Sequence, residues 1–432
     1  MQIIEYPDKR EWAGILARPK KDTASLEASV KTIMRDIKLG GDRAVDKYSL
    51  EFDKAELSDR LVPDAEWITA EQELSEPLKA AIRQAKSNIE RFHSKQWVQE
   101  EEMETMPGIR CWRKSVPIEK VGLYIPGGTA PLFSTVLMLA VPARIAGCRE
   151  IILCSPPGKD GKLHPAILYA ASVAGVRNIY KIGGVQAIAA MAYGTETISR
   201  VDKIFGPGNQ YVTCAKQLLQ QEGVAIDMPA GPSELAVYAD ETAVPGFVAA
   251  DLLSQCEHGP DSQVILVTGS KKIAESVIRE INLQISVLPR KDIAGKSLQH
   301  SKAIVLEDPE QAMQLLNTYA PEHLILACKN APELASAVQH AGSVFIGNFA
   351  PETAGDYASG TNHTLPTNGY ARAYSGVSVD SFIKKISFQQ VSAAGLSAIS
   401  GTLLEMARAE GLQAHAAAVE IRLKQIKNNS DA

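Results

Sequence analysis

Two hydrophobic periodicities divide the chain. In "PLKAAIRQAKSNIERF", Leu78, Ile82, Ile89 and Phe92 recur at helix-like intervals among charged positions, and a similar spacing runs through the preceding segment. Helices are therefore expected over residues 22–55 and 75–96. From about residue 120 short β-rich runs, each closed by a Gly or Pro turn, alternate with helical stretches. The runs are "KVGLYIP", "EIILCSPP", "NIYKIGG" and "KIFGPG"; the helices between and after them include "PLFSTVLMLAVPARIAG", "HPAILYAASVAG", "VQAIAAMAYG" and "NQYVTCAKQLLQQ". That alternation predicts βαβ units and a parallel sheet covered on both faces.

A second series, "SELAVYAD", "SQVILVTG", "KAIVLED", "HLILACK" and "GSVFIGN", begins near residue 233. Two successive α/β sheets predict two nucleotide-fold-like domains, with ligands in the crevice between them or at the C-terminal ends of their strands. After Gly347 the pattern breaks into "NFAPETAGDYASGTNHTLPTNGYARAYSG", a polar loop long enough to suggest a functional role. The tail from "SFIKKISFQQVS" reads as helical to about Gln425, with no sheet of its own to pack on. It is expected to dock on the core or to reach a second subunit.

Composition narrows the function classes. The 432 residues allow roughly two to four domains, and a net charge of −5 argues against a surface built for nucleic acid. The start "MQIIEYPDKREW" has no basic and apolar signal pattern, and the longest apolar run, "TVLMLAVPA", is too short for a membrane span. Six cysteines (Cys111, Cys148, Cys154, Cys214, Cys256, Cys328) occur without a C-x-x-C pair, which favours a reducing, cytoplasmic setting and small buried side chains.

Candidate chemistry concentrates in a few places. On the helix expected at "PGFVAADLLSQCEHG", Ala249, Leu252, Leu253 and Cys256 share the apolar face, whereas Asp251, Gln255 and His258 share the opposite one. Gln255 and His258, three residues apart, could chelate one cation or simply face solvent, while Glu257 projects to neither side. In "LNTYAPEHLILACK", Glu322 and His323 stand just before an apolar strand, where a carboxylate and an imidazole could divide two proton transfers or merely meet solvent. Asp356, between Gly355 and Gly360, lies where the backbone can fold tightly around a ligand; turn chemistry alone would also explain it. His415 shares a helix face with Val419 and Leu423 and reads, taken alone, as a packing histidine. No G-x-G-x-x-G, P-loop or H-E-x-x-H is present, so spacing alone establishes no nicotinamide cofactor.

Taken together, "VGLYIPGGTAPLFSTVLMLAVPARIAGC", "GGVQAIAAMAYGTE", "VDKIFGPGNQYVT", "DMPAGPSE", "DLLSQCEHGPDSQV", "PEHL" and "GDYASGTNHTLPT" closely resemble the histidinol dehydrogenase family, in the family's order from about residue 20 to the C-terminus. The resemblance implies an intertwined homodimer of two incomplete Rossmann-like domains, which oxidises L-histidinol to L-histidine with zinc (Zn2+) and two NAD. It implies an N-terminal arm (1–20), a discontinuous zinc- and substrate-binding α/β domain (21–122 and 233–375), an NAD-binding α/β domain (123–232) and a C-terminal helical arm (376–432) that crosses to the partner. Carried over by motif, the zinc ligands are Gln255, His258, Asp356 and His415, the last from the other subunit, and these also contact substrate. His323 is the expected base of the alcohol step and also a substrate contact, and Glu322 is the group that activates water. Ser233 and Glu410 are expected substrate contacts; Tyr124, Gln186 and Asn209 are expected NAD contacts.

Where Cys256 stands, alanine is commoner in that family, so a thiohemiacetal route through Cys256 or Cys148 is not expected. The Gln/His/Asp/His set by itself would equally suit a zinc-dependent hydrolase or an inactive scaffold of the same fold.

Overall fold

The computed structural model describes residues 1–19, 24–55, 59–98, 100–127, 131–229 and 231–430. Parallel pairing organises the first of its two units, residues 1–96 and 118–382. A six-stranded sheet runs in the order β1 (Gln2–Glu5), β11 (Lys302–Val305), β10 (Gln263–Thr268), β9 (Glu234–Ala239), β12 (His323–Ala327) and β13 (Ser343–Ile346), with every pair parallel. A five-stranded parallel sheet runs β6 (Asn178–Lys181), β5 (Glu150–Ser155), β4 (Lys120–Tyr124), β7 (Lys203–Phe205) and β8 (Ala225–Ile226). Its chain order reverses between β4 and β7, the switch point at which doubly wound sheets bind ligands.

Strand alternation fills both faces of the larger sheet. Leu235, Val237 and Ala239 of β9 pack with Leu252 and Leu253 of α9 (Pro245–Cys256), Val277 and Ile281 of α10 (Lys271–Ile285) and Leu298 of α11 (Lys291–His300). Ala236 and Tyr238 turn the other way, onto Trp12 of α1 (Trp12–Ile15), Met313, Leu316 and Tyr319 of α12 (Pro309–Tyr319) and Ala331 of α13 (Ala331–Ala335). On the smaller sheet, Ile152, Cys154 and Ile204 face α2 (Ala24–Tyr48), α7 (Gly184–Tyr193) and α8 (Gln210–Gln221), with Val30, Ile37, Val45, Ile188 and Leu219 in one cluster. Helices α3 (Asp64–Glu73), α4 (Glu76–Ser94), α5 (Phe133–Ala146) and α6 (Pro165–Val173) pack on one another beside it.

Two segments of the expected layout can be placed. In the stretch assigned with the zinc domain, α2 turns its apolar stripe to α7 and α8 beside the smaller sheet, and α3 and α4 pack on α6 and α5. Residues 2–5, expected in a separate arm, add edge strand β1 to the larger sheet, in register with β11 from Gln2↔Lys302 to Glu5↔Val305.

The second unit comprises residues 97–117 and 383–432. Here the tail departs from the helical expectation: β14 (Ile383–Val391) is a strand, paired antiparallel with β3 (Ile109–Pro117), which in turn pairs with β2 (Met103–Met106). Trp112 stacks on Phe388 across that ladder with ring centroids 5.5 Å apart. Ser392 then caps α15 (Ala393–Ala409) by accepting from the Gly395 N–H, and α16 (Gln413–Ser430) follows. Among the described residues no helix is long and apolar enough to cross a membrane.

Candidate active site

The catalytic candidates occupy the N-terminal edge of the larger sheet, the opposite end from the one expected of α/β folds. Helix α12 stops at Ala320, which adopts φ 52, and Pro321 prevents its continuation. The chain therefore enters β12 at His323, directly beside the start of β9, where Ser233 and Glu234 lie. Helix α9 ends at Cys256 with Glu257 as its cap, so His258 sits just past the helix end rather than on it, exposed at the rim. Asp356 comes from α14 (Glu352–Tyr357), a short helix inside the long polar segment.

His323 is buried among acceptors. Its Nδ1 lies 3.4 Å from the Glu234 carbonyl oxygen, 3.5 Å from Glu352 Oε1 and 3.7 Å from Glu322 Oε2, while Nε2 lies 3.6 Å from Asp356 Oδ1. A carbonyl oxygen can only accept, so the ring proton belongs on Nδ1 and the lone pair on Nε2. Burial, reinforced by His258 and His363, pushes the imidazole down to about 3 and keeps it neutral. Glu322 is also buried, and burial holds its carboxyl well above the usual range; its Oε2 accepts from the Glu234 N–H at 2.9 Å.

The backbone of Glu234 thus contacts both catalytic candidates, and its side chain is fixed in turn. Arg18 holds that carboxylate through two bonds of 2.5 and 2.8 Å, stacks on Tyr319 and donates to the Tyr319 carbonyl.

Beside His323 the donors for a cation converge. Ligand atoms of His258, Glu352 and Asp356 lie within 4.8 Å of one another. The buried Gln255 amide lies against the Glu352 carboxylate; turned with its nitrogen toward Glu352 it donates to both oxygens, whereas its oxygen there would need a cation between the two acceptors. Burial and the neighbouring Asp356 raise Glu352, and burial pushes Asp356 up to about 7, so positive charge among them would be stabilising. Nitrogen and oxygen donors of this kind suit zinc. Glu352 was absent from the expected set, although its i, i+4 spacing from Asp356 on one helix was a readable signal of paired carboxylates.

His363 was also missed, within a motif otherwise read closely. Its Nδ1 faces the Asp356 carbonyl oxygen at 2.8 Å and its Nε2 the Thr135 hydroxyl at 3.1 Å. Asn362 donates to the Met138 carbonyl at 2.6 Å, so the loop carrying Asp356 is anchored on the first turns of α5. That helix is the next element in the chain after β4, whose end lies at the C-terminal edge of the smaller sheet.

The expected NAD contacts gather at that second edge. Tyr124 ends β4, and its hydroxyl accepts from Gly184 N–H at 3.0 Å; Gln186 is fully buried and donates to Asp53 Oδ2 at 3.1 Å. Gly184 has φ 59, a conformation that favours glycine. Asn209 follows β7 as an exposed cap of α8, its Oδ1 accepting from Tyr211 and Val212 N–H groups while its amide nitrogen stays available. Glu410 and His415 belong to the second unit, where Glu410 caps α15 and His415 lies in the first turn of α16; both are exposed.

Cys256 lies on the apolar face as its helical angle predicts, fully buried with Leu252 and Leu253, and burial pushes its thiol up to about 12. Cys256→Ala should leave kcat unchanged and cost on the order of 1 kcal/mol of stability in a denaturant titration. A large fall in kcat would instead return the thiol to the chemistry.

Comparison with known proteins identifies the architecture. The histidinol dehydrogenase family model matches residues 16–423. A histidinol dehydrogenase of Bacteroides fragilis is 60% identical over 427 residues, covering 99% of this chain and 100% of the relative, and one of Salmonella typhimurium is 49% identical, covering 96% of each. The crystal structure of histidinol dehydrogenase from Elizabethkingia anophelis superposes with a TM-score of 0.97 at 54% identity, over 99% of both chains. With a family match across nearly its whole length, the chain belongs to the histidinol dehydrogenase family.

Proposed function

We propose that this chain oxidises L-histidinol through L-histidinaldehyde to L-histidine, with one NAD consumed in each of two oxidations, at a zinc-dependent site. The observation that carries the reading is the neutral, buried His323 beside Glu322, set against the cation donors and joined through His363 to the helix at the cofactor edge. Zinc would be held by Gln255, His258, Asp356 and the partner subunit's His415, supplying a template for the substrate's amine and imidazole. NAD, held near Tyr124, Gln186 and Asn209, supplies the two-electron acceptor of each oxidation.

The residues divide the protons. In the alcohol step, Nε2 of His323 takes the hydroxyl proton as the carbon loses hydride, while Nδ1–H toward the Glu234 carbonyl fixes the ring. The aldehyde then adds water across its carbonyl. Glu322, with Oε2 engaged by the Glu234 N–H, offers Oε1 to take the water's proton. Positive charge at the neighbouring cation site would reduce its raised proton affinity. The hydrate loses a second hydride and a proton to yield the carboxylic acid. Ser233, at the same strand edge, and the partner subunit's Glu410 are assigned to substrate binding.

The reading includes a homodimer whose C-terminal arms complete the partner's site. Supporting it, α15 buries only Gly395 among its described residues, and Met406, Leu412 and Ile421 are exposed. A cytoplasmic setting fits six unpaired thiols.

Incubation with L-histidinol and NAD, following NADH and histidine together, tests the function. Two NADH per histidine is the expected stoichiometry. One NADH without histidine means arrest at the aldehyde, and none from zinc-loaded protein favours a hydrolase or an inactive scaffold.

A further inference from the structure

Over the C-terminal ends of β4, β5 and β6 the first unit forms a continuous patch. Tyr124 reaches from β4 to Gly184 after β6; a side chain at Gly127 would meet Pro156 at 2.2 Å, and one at Gly183 would meet Pro156 at 2.5 Å. Asp53 enters this patch from outside the sheet, on the segment that follows α2. Its Oδ2 accepts from Gly183 N–H at 3.3 Å and from Gln186 Nε2 at 3.1 Å. Its Oδ1 lies over Gly183, 2.8 Å from where a Cβ would stand, and takes neither of those bonds.

In a doubly wound sheet this half holds the adenosine, and a carboxylate there accepts from the ribose 2′-hydroxyl. The usual carrier is the end of the second strand. Here that strand, β5, ends at Ser155 without an acid, and the next one, Asp160, turns onto its own loop, accepting from Lys162 N–H at 3.2 Å. The patch nonetheless has a carboxylate, delivered by Asp53 from a different part of the chain.

We propose that Asp53 accepts the adenosine ribose hydroxyl of the dinucleotide and thereby selects NAD over its 2′-phosphorylated form. The proposal rests on the NAD reading above. An ionised Oδ1 facing a 2′-hydroxyl gains a charge-assisted hydrogen bond; facing a 2′-phosphate it meets like charge. Burial raises the Asp53 carboxyl, and the Gly183 and Gln186 donors partly offset this; a ribose hydroxyl would add a third donor of the same sign. A merely structural Asp53 would hold the Gly183–Gln186 turn and affect both dinucleotides alike, which makes the ratio of affinities the informative readout.

The test uses full-length, zinc-loaded enzyme and the variants Asp53→Asn and Asp53→Ser. NAD and NADP are titrated calorimetrically without substrate, and kcat/KM is measured with each. Asn retains one oxygen that can accept from both Gly183 and Gln186, and Ser controls for a variant that folds poorly. The expected result is an NAD-over-NADP ratio lowered about tenfold or more in both variants, the scale of one lost charge contact. An unchanged ratio, whether the two affinities hold steady or fall together, overturns the role of Asp53 while leaving NAD binding intact. Wild-type enzyme that binds neither dinucleotide overturns the NAD reading itself and this proposal with it.

Discussion

Replacing His323 with Asn lowers kcat for L-histidinol oxidation by about 100- to 10,000-fold, the range for loss of a positioned general base. Zinc content and substrate KM should change far less, because His323 is outside the expected ligand set and its ring acts on a proton. The partner variant separates the two half-reactions. Glu322→Gln keeps an acceptor for the Glu234 N–H, so the strand edge stays satisfied, but an amide cannot take a proton from water. Its expected phenotype is one NADH per histidinol at near-normal rate, followed by a second oxidation slowed by about 100-fold or more. Stopped-flow NADH traces with histidinol and with histidinaldehyde distinguish the variants. Equal loss of both oxidations in Glu322→Gln would remove the division of labour between the two residues.

On the proposed zinc reading, removing the metal should expose a pH-dependent instability among the cation donors. Burial lifts Asp356 to about 7 and raises Glu322 and Glu352 well above the usual carboxylate range. Such groups hold more protons folded than unfolded, so each lowers stability as pH rises between its unfolded and folded pKa values, by up to roughly 1.4 kcal/mol per pH unit. His323 and His363, pushed down by burial to about 3 and about 4, act in the opposite sense: they add stability as pH climbs toward their unfolded value. The two sets oppose one another below about pH 6.5, where an unfolded histidine still titrates. Above that the histidines are neutral in both states and only the carboxyls remain.

Metal-stripped protein should therefore lose thermal stability from pH 6.5 to 8, and added zinc should raise Tm more at pH 8 than at pH 6. Asp356→Asn should remove part of the alkaline slope. A metal-free Tm that is flat or rises across this window would contradict the assignment of these acids as a cation site.

The parallel sheets were readable because strands buried on both faces are nearly continuous apolar runs, as in "QVILV" and "HLILA". The antiparallel unit was not. Every residue of β2 is exposed, and β14 spaces Ile383, Ile386, Phe388 and Val391 by three, two and three residues, which fits neither the strand period nor the helix period cleanly. Helical angle put Gln255 and His258 on one side although the helix stops two residues before His258, and it left cation and solvent both open; only the family resemblance offered a shared zinc. Glu352 and His363 escaped because their segment reads as loop: the i, i+4 pairing of Glu352 with Asp356 shows only once a helix is recognised there, and the Thr135 partner of His363 is a tertiary contact. The strand rule points to C-terminal ends, where Tyr124 does stand on the smaller sheet, whereas Glu322 and His323 lie at the N-terminal edge of the larger one, which no local pattern marks.

Arg18 and Glu234 bear on how such enzymes diverge. Glu234 offers its backbone to Glu322 and His323 whatever side chain it carries, yet that side chain is buried and needs the guanidinium 216 residues away in sequence. Losing either partner alone leaves a desolvated charge beneath Glu322 and His323. The two positions therefore form a single evolutionary unit: among relatives they should be kept together or replaced together, and a chimera that joins one enzyme's N-terminal segment to another's core will work only where both halves agree on that pair.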